Sequence, residues 1–274
     1  LTPTMYLINR FLFLFPILLI FFSSCTKTTT VHETDTDTVV INQHVTLNDT
    51  FYNLTNGLAA WLPFTNGSLQ DVTSWHNNVI NCSATPTRDR FDNSNNAFLF
   101  NGTNYMETRW SETLTWRYIT LMAIVKFNDF NKGDGFDNLI VLSNRYDTVP
   151  NAYGIIVRPQ SYDPAAKLDT SKEMFVARFG DIQVADSSMN VHTGIWYIVA
   201  LTYDGSFLKL YVNGQLRNSR AETTTLAYTG FGLYMGESLS PKIRSQFSGV
   251  IDEIRVYDKA LTEDYIRQFN KLTQ

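Results

Sequence analysis

Residues able to do covalent chemistry are sparse in this sequence and poorly spaced for it. Cleaving a glycosidic bond takes two carboxylates facing one sugar linkage, about 5 Å apart for retention of configuration or about 6.5–9.5 Å for inversion. The nearest approach is Asp252-Glu253 in VIDEIRVYD. Neighbouring side chains on a strand point to opposite faces, so these two are expected to diverge. No Gly-x-Ser-x-Gly elbow, phosphate-cradling glycine loop or His-Glu-x-x-His zinc motif occurs. His76 and His192 lack a cysteine or second histidine at ligand spacing and read as loop residues. The stretch NDFNKGDGFDN from Asn128 lacks the closing glutamate of an EF-hand loop. Two cysteines, Cys25 and Cys82, build neither a disulfide framework nor a thiolate zinc cluster, and Cys82 is expected to pack as a small free thiol.

Binding chemistry is better supplied. Trp75, Trp110 and Tyr146 fall in expected loops, where exposed rings can stack on the apolar faces of pyranoses while Arg88 and Asn104 fix orientation by hydrogen bonds. Trp61 and Trp196 fall in expected strands and read as core.

The elements that would position these side chains are mostly strands. From Asn53 onward, short apolar runs alternate with Gly, Asn and Asp, the pattern of many antiparallel strands. Strands are expected at Leu58 to Phe64, Ala97 to Asn101, Ile119 to Phe127, Leu139 to Ser143, Tyr153 to Val157, Met174 to Phe179, Trp196 to Tyr203 and Phe207 to Val212. Asp204-Gly205 and Asn213-Gly214 suit the positive-φ corners of tight hairpins, so the chain from Trp196 meanders through three strands. Only the end is helical: Thr262 can cap a segment with Glu263 and Asp264 in its first turn and Tyr265, Ile266 and Phe269 on one face. The absence of an internal linker or repeat predicts one sandwich over residues 53–274.

Composition agrees. In 274 residues, 44% hydrophobic and 18% charged, there is ample side chain for a core, which excludes global disorder. The 22 Lys+Arg against 26 Asp+Glu leave a net charge of -4 and no basic field to attract nucleic acid.

The first 52 residues have another character. Arg10, twelve apolar residues from Phe11 to Phe22, then small residues follow the order of a secretory signal, and the run is short of the roughly 20 residues of a membrane span. Residues 26–50 hold nine threonines and no aromatic, glycine or proline, so they read as an extended tether, with His32, Glu33, Asp35 and Asp37 as solubilising charges. Phe22-Ser23-Ser24-Cys25 resembles a bacterial lipobox, although Phe22 stands where leucine is commoner. That resemblance implies a signal peptide over 1–24, lipid on Cys25, a tether over 25–52 and durable attachment to a bilayer. It places the protein in a bacterial cell envelope, at the outer membrane or cell surface.

Four blocks of the remaining chain carry a second resemblance. GLAAWLPFTNGSLQDVTSWHNNVI from Gly57, AFLFNGTNYMET from Ala97, WYIVALTYDGSFLKLYVNGQL from Trp196 and GVIDEIRVYDKALTEDYI from Gly249 are similar, in order, to the laminin G-like branch of the concanavalin A-like lectin/glucanase superfamily. Trp75-His76 departs from the glycine or small polar residues usual there. The resemblance implies an all-β, two-sheet antiparallel jelly-roll sandwich with a short C-terminal helix. It also implies a structural calcium tying the loop after the first strand to the last strand, through Asp71, Asn77 and Asp252. Laminarinase-like glucanases of this fold carry Glu-x-Asp-x-x-Glu on one strand, which is absent here. The expected function is therefore a non-catalytic lipoprotein that binds carbohydrate or an envelope or extracellular protein. A glycan-cleaving enzyme and an assembly module of an envelope complex are the alternatives.

Overall fold

Runs of β-branched and aromatic residues, interrupted by Gly, Asn and Asp, fold into two antiparallel sheets packed face to face. The computed structural model describes residues 53–130, 138–142, 152–160, 172–180, 182–223, 225, 232–236 and 247–273. In chain order the strands are β1 (Leu58–Leu62), β2 (Val79–Cys82), β3 (Thr85–Thr87), β4 (Ala97–Asn101), β5 (Met106–Thr108), β6 (Ile119–Asp129), β7 (Asn138–Leu142) and β8 (Tyr153–Pro159). They continue with β9 (Glu173–Phe179), β10 (Ile182–Ala185), β11 (Trp196–Tyr203), β12 (Phe207–Val212), β13 (Gln215–Ala221), β14 (Tyr234–Met235) and β15 (Ser248–Tyr257).

One sheet runs β13-β12-β11-β6-β15-β4-β3, with β1 also paired to β15; the other runs β10-β9-β8-β7-β14-β5-β2. Between them lies an apolar core that includes Phe64, Phe100, Phe127, Phe175, Phe179 and Phe247. Its rings meet edge to face, as in Phe127–Phe247 with centroids 5.2 Å apart. A second apolar layer covers the outer face of the first sheet, where Met122, Ile124 and Ile198 receive Ile266 and Phe269 of the helix α1 (Glu263–Leu272). Thr262 caps α1 as expected, its Oγ1 accepting from Tyr265 N at 3.3 Å. Glu263 and Asp264 complement the positive helix start.

The two hairpin corners differ. Asn213 and Gly214 both adopt positive φ, 49° and 78°, as a two-residue hairpin requires. At the other corner only Gly205 is left-handed, at φ 85°, and Asp204 instead accepts from Ser206 N at 2.9 Å and Phe207 N at 2.7 Å.

Three expectations need correction. The first concerns Asp252 and Glu253, which lie on the same face. Pairing of β15 with β6 slips between Ile251 and Glu253, a bulge that inserts one residue. Ile251, Ile254 and Val256 therefore all reach the inter-sheet core, and the two carboxylates fall together on the helix side. The bulge sits where β4, paired to residues 248–251, gives way to β1, paired to residues 254–257. The second concerns Trp61 and Trp196, which are half-buried outside the sandwich core, beside Arg255 at 4.2 Å and Lys126 at 4.8 Å respectively. The third is Cys82, which is free but exposed on the edge strand β2 rather than packed.

Candidate functional site

Pairing of β2 with β5 brings two loops out at one end of the sandwich edge, residues 71–78 before β2 and residues 109–116 after β5. Arg109 N extends the ladder by donating to Asn78 O at 3.0 Å. Trp75 and Trp110 ride on these loops, 50% and 38% exposed, enough ring surface to meet a ligand.

Asp71 shapes the first loop from inside. Its carboxylate is buried and accepts from Trp61 N, Thr73 N, Thr73 Oγ1 and Asn77 N at 2.8–2.9 Å. Asn77, also buried, donates through Nδ2 to Ala59 O at 2.7 Å and to Thr113 Oγ1 at 2.9 Å. Thr113 belongs to the second loop, where Ser111 caps a short turn and Trp116 Nε1 donates to Thr113 O. His76 takes a left-handed φ of 52° and turns the chain between Trp75 and Asn77, so the departure at Trp75-His76 is a corner in the loop. The loop of Trp75 is thus shaped by Asp71, and the loop of Trp110 by the Ser111 cap and the Asn77–Thr113 bond, so that both indoles sit on built loops suited to stacking.

The other sequence candidates do not join them. Arg88 precedes β4 and pairs with Asp92 at 3.2 Å on the surface. Asn104 follows β4 and staples its own turn, donating to Ser83 O at 2.6 Å and accepting from Asn101 N at 3.0 Å. A whole strand separates the two. Tyr146 lies outside the described residues, as does Cys25. Thr113 was not foreseen, because its partner Asn77 is 36 residues away and no local pattern marks it.

Calcium does not fit the proposed ligands. Both oxygens of Asp71 already face N–H and O–H donors. Asp252 Oδ2 accepts from Arg90 Nη1 at 2.6 Å and from Arg90 N at 3.2 Å, so a guanidinium stands where a cation would. Asp71 borders the edge of β1 that faces away from β15, which puts it and Asp252 on opposite sides of that strand. Among the described residues, no group of three His, Cys, Asp or Glu could hold a metal.

Asp252 and Glu253, the adjacent carboxylates that the sequence singles out, are locked away. Arg90 Nη2 lies 3.9 Å from Glu253, and Arg255 Nε donates to Glu253 Oε1. Arg255 is itself held between Trp61 and Phe269 of α1. Burial pushes the Asp252 carboxyl up to about 6 while the Arg90 guanidinium pulls against it. With exposures of 4% and 7%, neither carboxylate is open to a polysaccharide.

Residues 100–267 match a laminin G-type family model described as the concanavalin A-like lectin/glucanases superfamily. The chain belongs to that superfamily. None of the curated proteins matches it. Among solved structures, this superfamily member is similar to domain 4 of AbnA, an extracellular arabinanase from Geobacillus stearothermophilus, in complex with arabinotriose. The identity is 20% and the TM-score 0.54, over 78% of this chain and 98% of that one. It is also similar to Trypanosoma rangeli sialidase in complex with sialic acid, at 17% identity and TM-score 0.55, over 80% of this chain and 33% of that one. The binding domain of Paraclostridial Mosquitocidal Protein 1 aligns at 17% identity and TM-score 0.55, over 78% of this chain and 52% of that one. This chain therefore spans about a third of the sialidase and about half of the mosquitocidal protein's binding domain. At these identities the likenesses establish the concanavalin A-like fold alone, a fold that occurs in both enzymes and binding domains.

Proposed function

We propose that this protein is a non-catalytic, lipid-anchored module that binds glycan through the loops carrying Trp75 and Trp110. The observation that carries this reading is the pair of exposed indoles on adjacent loops joined by the Asn77–Thr113 bond. Sugar rings offer flat C–H faces to such indoles, and loops already ordered lose little entropy on binding. The arabinotriose in the complex of the arabinanase domain, 98% of which this chain covers, supports oligosaccharide as the ligand class.

The non-catalytic part rests on the fate of the carboxylates. Asp71 is saturated with hydrogen bonds, and Asp252 and Glu253 are ion-paired beneath α1. In this reading residues 1–24 are removed as a signal, Cys25 carries lipid and residues 26–52 lift the domain from the membrane of a bacterial envelope. The testing experiment is a glycan array probed with the full chain in detergent, paired with a reducing-end assay on the same glycans. Binding without release of reducing ends supports the proposal; release of reducing ends, or no glycan bound at all, overturns it.

A further inference from the structure

The outer face of the first sheet, on the far side of the molecule's core from the second sheet, holds a cavity of about 240 Å³ beside the end of α1. Ile124 and Ile198 form part of its lining, and both belong to the buried layer under the helix. Phe91, Trp196, Asn213 and Arg90 complete most of the wall.

Phe91 is an aromatic side chain in an unusual place. It is 53% exposed, yet its loop is built rather than frayed: Asp89 Oδ1 accepts from Phe91 N at 2.8 Å and from Asn93 N at 2.9 Å. The Arg90 guanidinium lies 4.4 Å from the Phe91 ring centroid. Arg90 is in turn fixed by Asp252 and by donation of its Nε to Thr273 O at 2.7 Å. Two N–H groups on this lining have work left to do. Among the described residues, Arg90 Nη2 makes its ion-pair contact with Glu253 at 3.9 Å, beyond hydrogen-bond range. Asn213 Oδ1 accepts from Ile198 N at 2.9 Å, which fixes the amide and leaves its Nδ2 protons as donors.

Aromatic and aliphatic walls with two donor side chains in the lining suit a ligand with an apolar ring face and oxygen acceptors on its rim. The volume is below the roughly 300–1,000 Å³ of drug-sized pockets, so the recess itself holds about one ring. We infer that this cavity is a second ligand site, which takes a single sugar residue at a glycan end between Trp196 and Phe91, with its oxygens accepting from Asn213 Nδ2 and Arg90 Nη2. The inference extends the glycan-binding reading to another face, and the two stand or fall separately.

The test is saturation-transfer NMR and calorimetric titration of the full chain in detergent with arabinose, glucose, N-acetylglucosamine and glucuronate, and with indole as an aromatic probe. At least one sugar should bind. Phe91→Ala and Asn213→Asp should each weaken it about tenfold, as expected for central contacts of a small site. Asn213→Asp keeps the acceptor for Ile198 N and a side chain that tolerates left-handed backbone, and Phe91→Ala removes a surface ring, so both melting temperatures should stay close to wild type. The double variant Trp75→Ala/Trp110→Ala should still take the monosaccharide. Absence of binding by all four sugars, binding unmoved by both pocket variants, or binding of indole alone would overturn the inference. An oligosaccharide bound by wild type without any monosaccharide would do so too, while leaving the loop site standing.

Discussion

Asn77 Nδ2 donates to Thr113 Oγ1 at 2.9 Å, joining the loop that carries Trp75 to the loop that carries Trp110. The same amide holds Ala59 O at the start of the fold's first strand, so one buried side chain anchors both loops to the sandwich. Thr113→Val removes the cross-loop hydroxyl while keeping shape, and should cost about 1 kcal/mol. Asn77→Ala orphans a buried carbonyl as well and should cost about 1–3 kcal/mol. Denaturant melts check both costs. Glycan titrations of the folded variants should show weaker binding for each, because the two indoles no longer share a fixed spacing.

A second prediction concerns the acidic residues. Both oxygens of Asp71 accept from protein donors and Asp252 Oδ2 is paired with Arg90, so chelator should leave the melting temperature unchanged and added calcium should not raise it. A ligand that bound the native state at a hundredfold excess over Kd would add about 2.7 kcal/mol, a shift readily seen by calorimetry. Asp71→Ala should itself be severe, on the order of 3 kcal/mol or more, since it strands donors that now meet a carboxylate.

A third follows from the Arg90–Asp252 pair. The Asp252 carboxyl sits at about 6 in the fold and at about 3.9 in an unfolded chain. Between those values the native state holds a proton that the unfolded state has lost. Its contribution is therefore complete below the lower value and is lost as pH rises through the upper one. Above that point the ionised carboxylate depends on Arg90. Arg90→Met should thus be tolerated best in acid, and its deficit relative to wild type should grow with pH to about 3–5 kcal/mol near pH 8. Melting curves across that range decide it; a deficit that shrinks with rising pH would contradict the assigned partner.

What the sequence disclosed was local. The strands Ala97–Asn101, Trp196–Tyr203 and Phe207–Val212, the Asn213-Gly214 corner and the Thr262 cap all depend on neighbours within a few residues, and all occur as expected. The short strands β2, β3 and β14 carry too few residues for alternation to register, and β14 exists only through its partners β5 and β7. The bulge at Asp252 was hidden because β4 and β1 meet there from distant parts of the chain. In the site, the two tryptophans were legible as loop aromatics, but Thr113 and Arg90 act on partners 36 and 162 residues away, which no spacing rule reports. Trp61 and Trp196 misled because strand position specifies a face without saying which layer covers it.

A fourth prediction tests the anchor. Cys25→Ala should release the protein from the membrane fraction or leave its precursor uncleaved, since the sulfur that would take the lipid is gone. Mass spectrometry of the wild-type amino terminus should show an acylated cysteine. Unchanged mass and unchanged partitioning of the variant would reject lipidation.

Titration of the best array ligand into wild type and into Trp75→Ala/Trp110→Ala decides whether the loops of Trp75 and Trp110 bind glycan. The double variant should lose at least about tenfold in affinity with little change in melting temperature, because both rings lie outside the core. Equal affinity in the two proteins would contradict it.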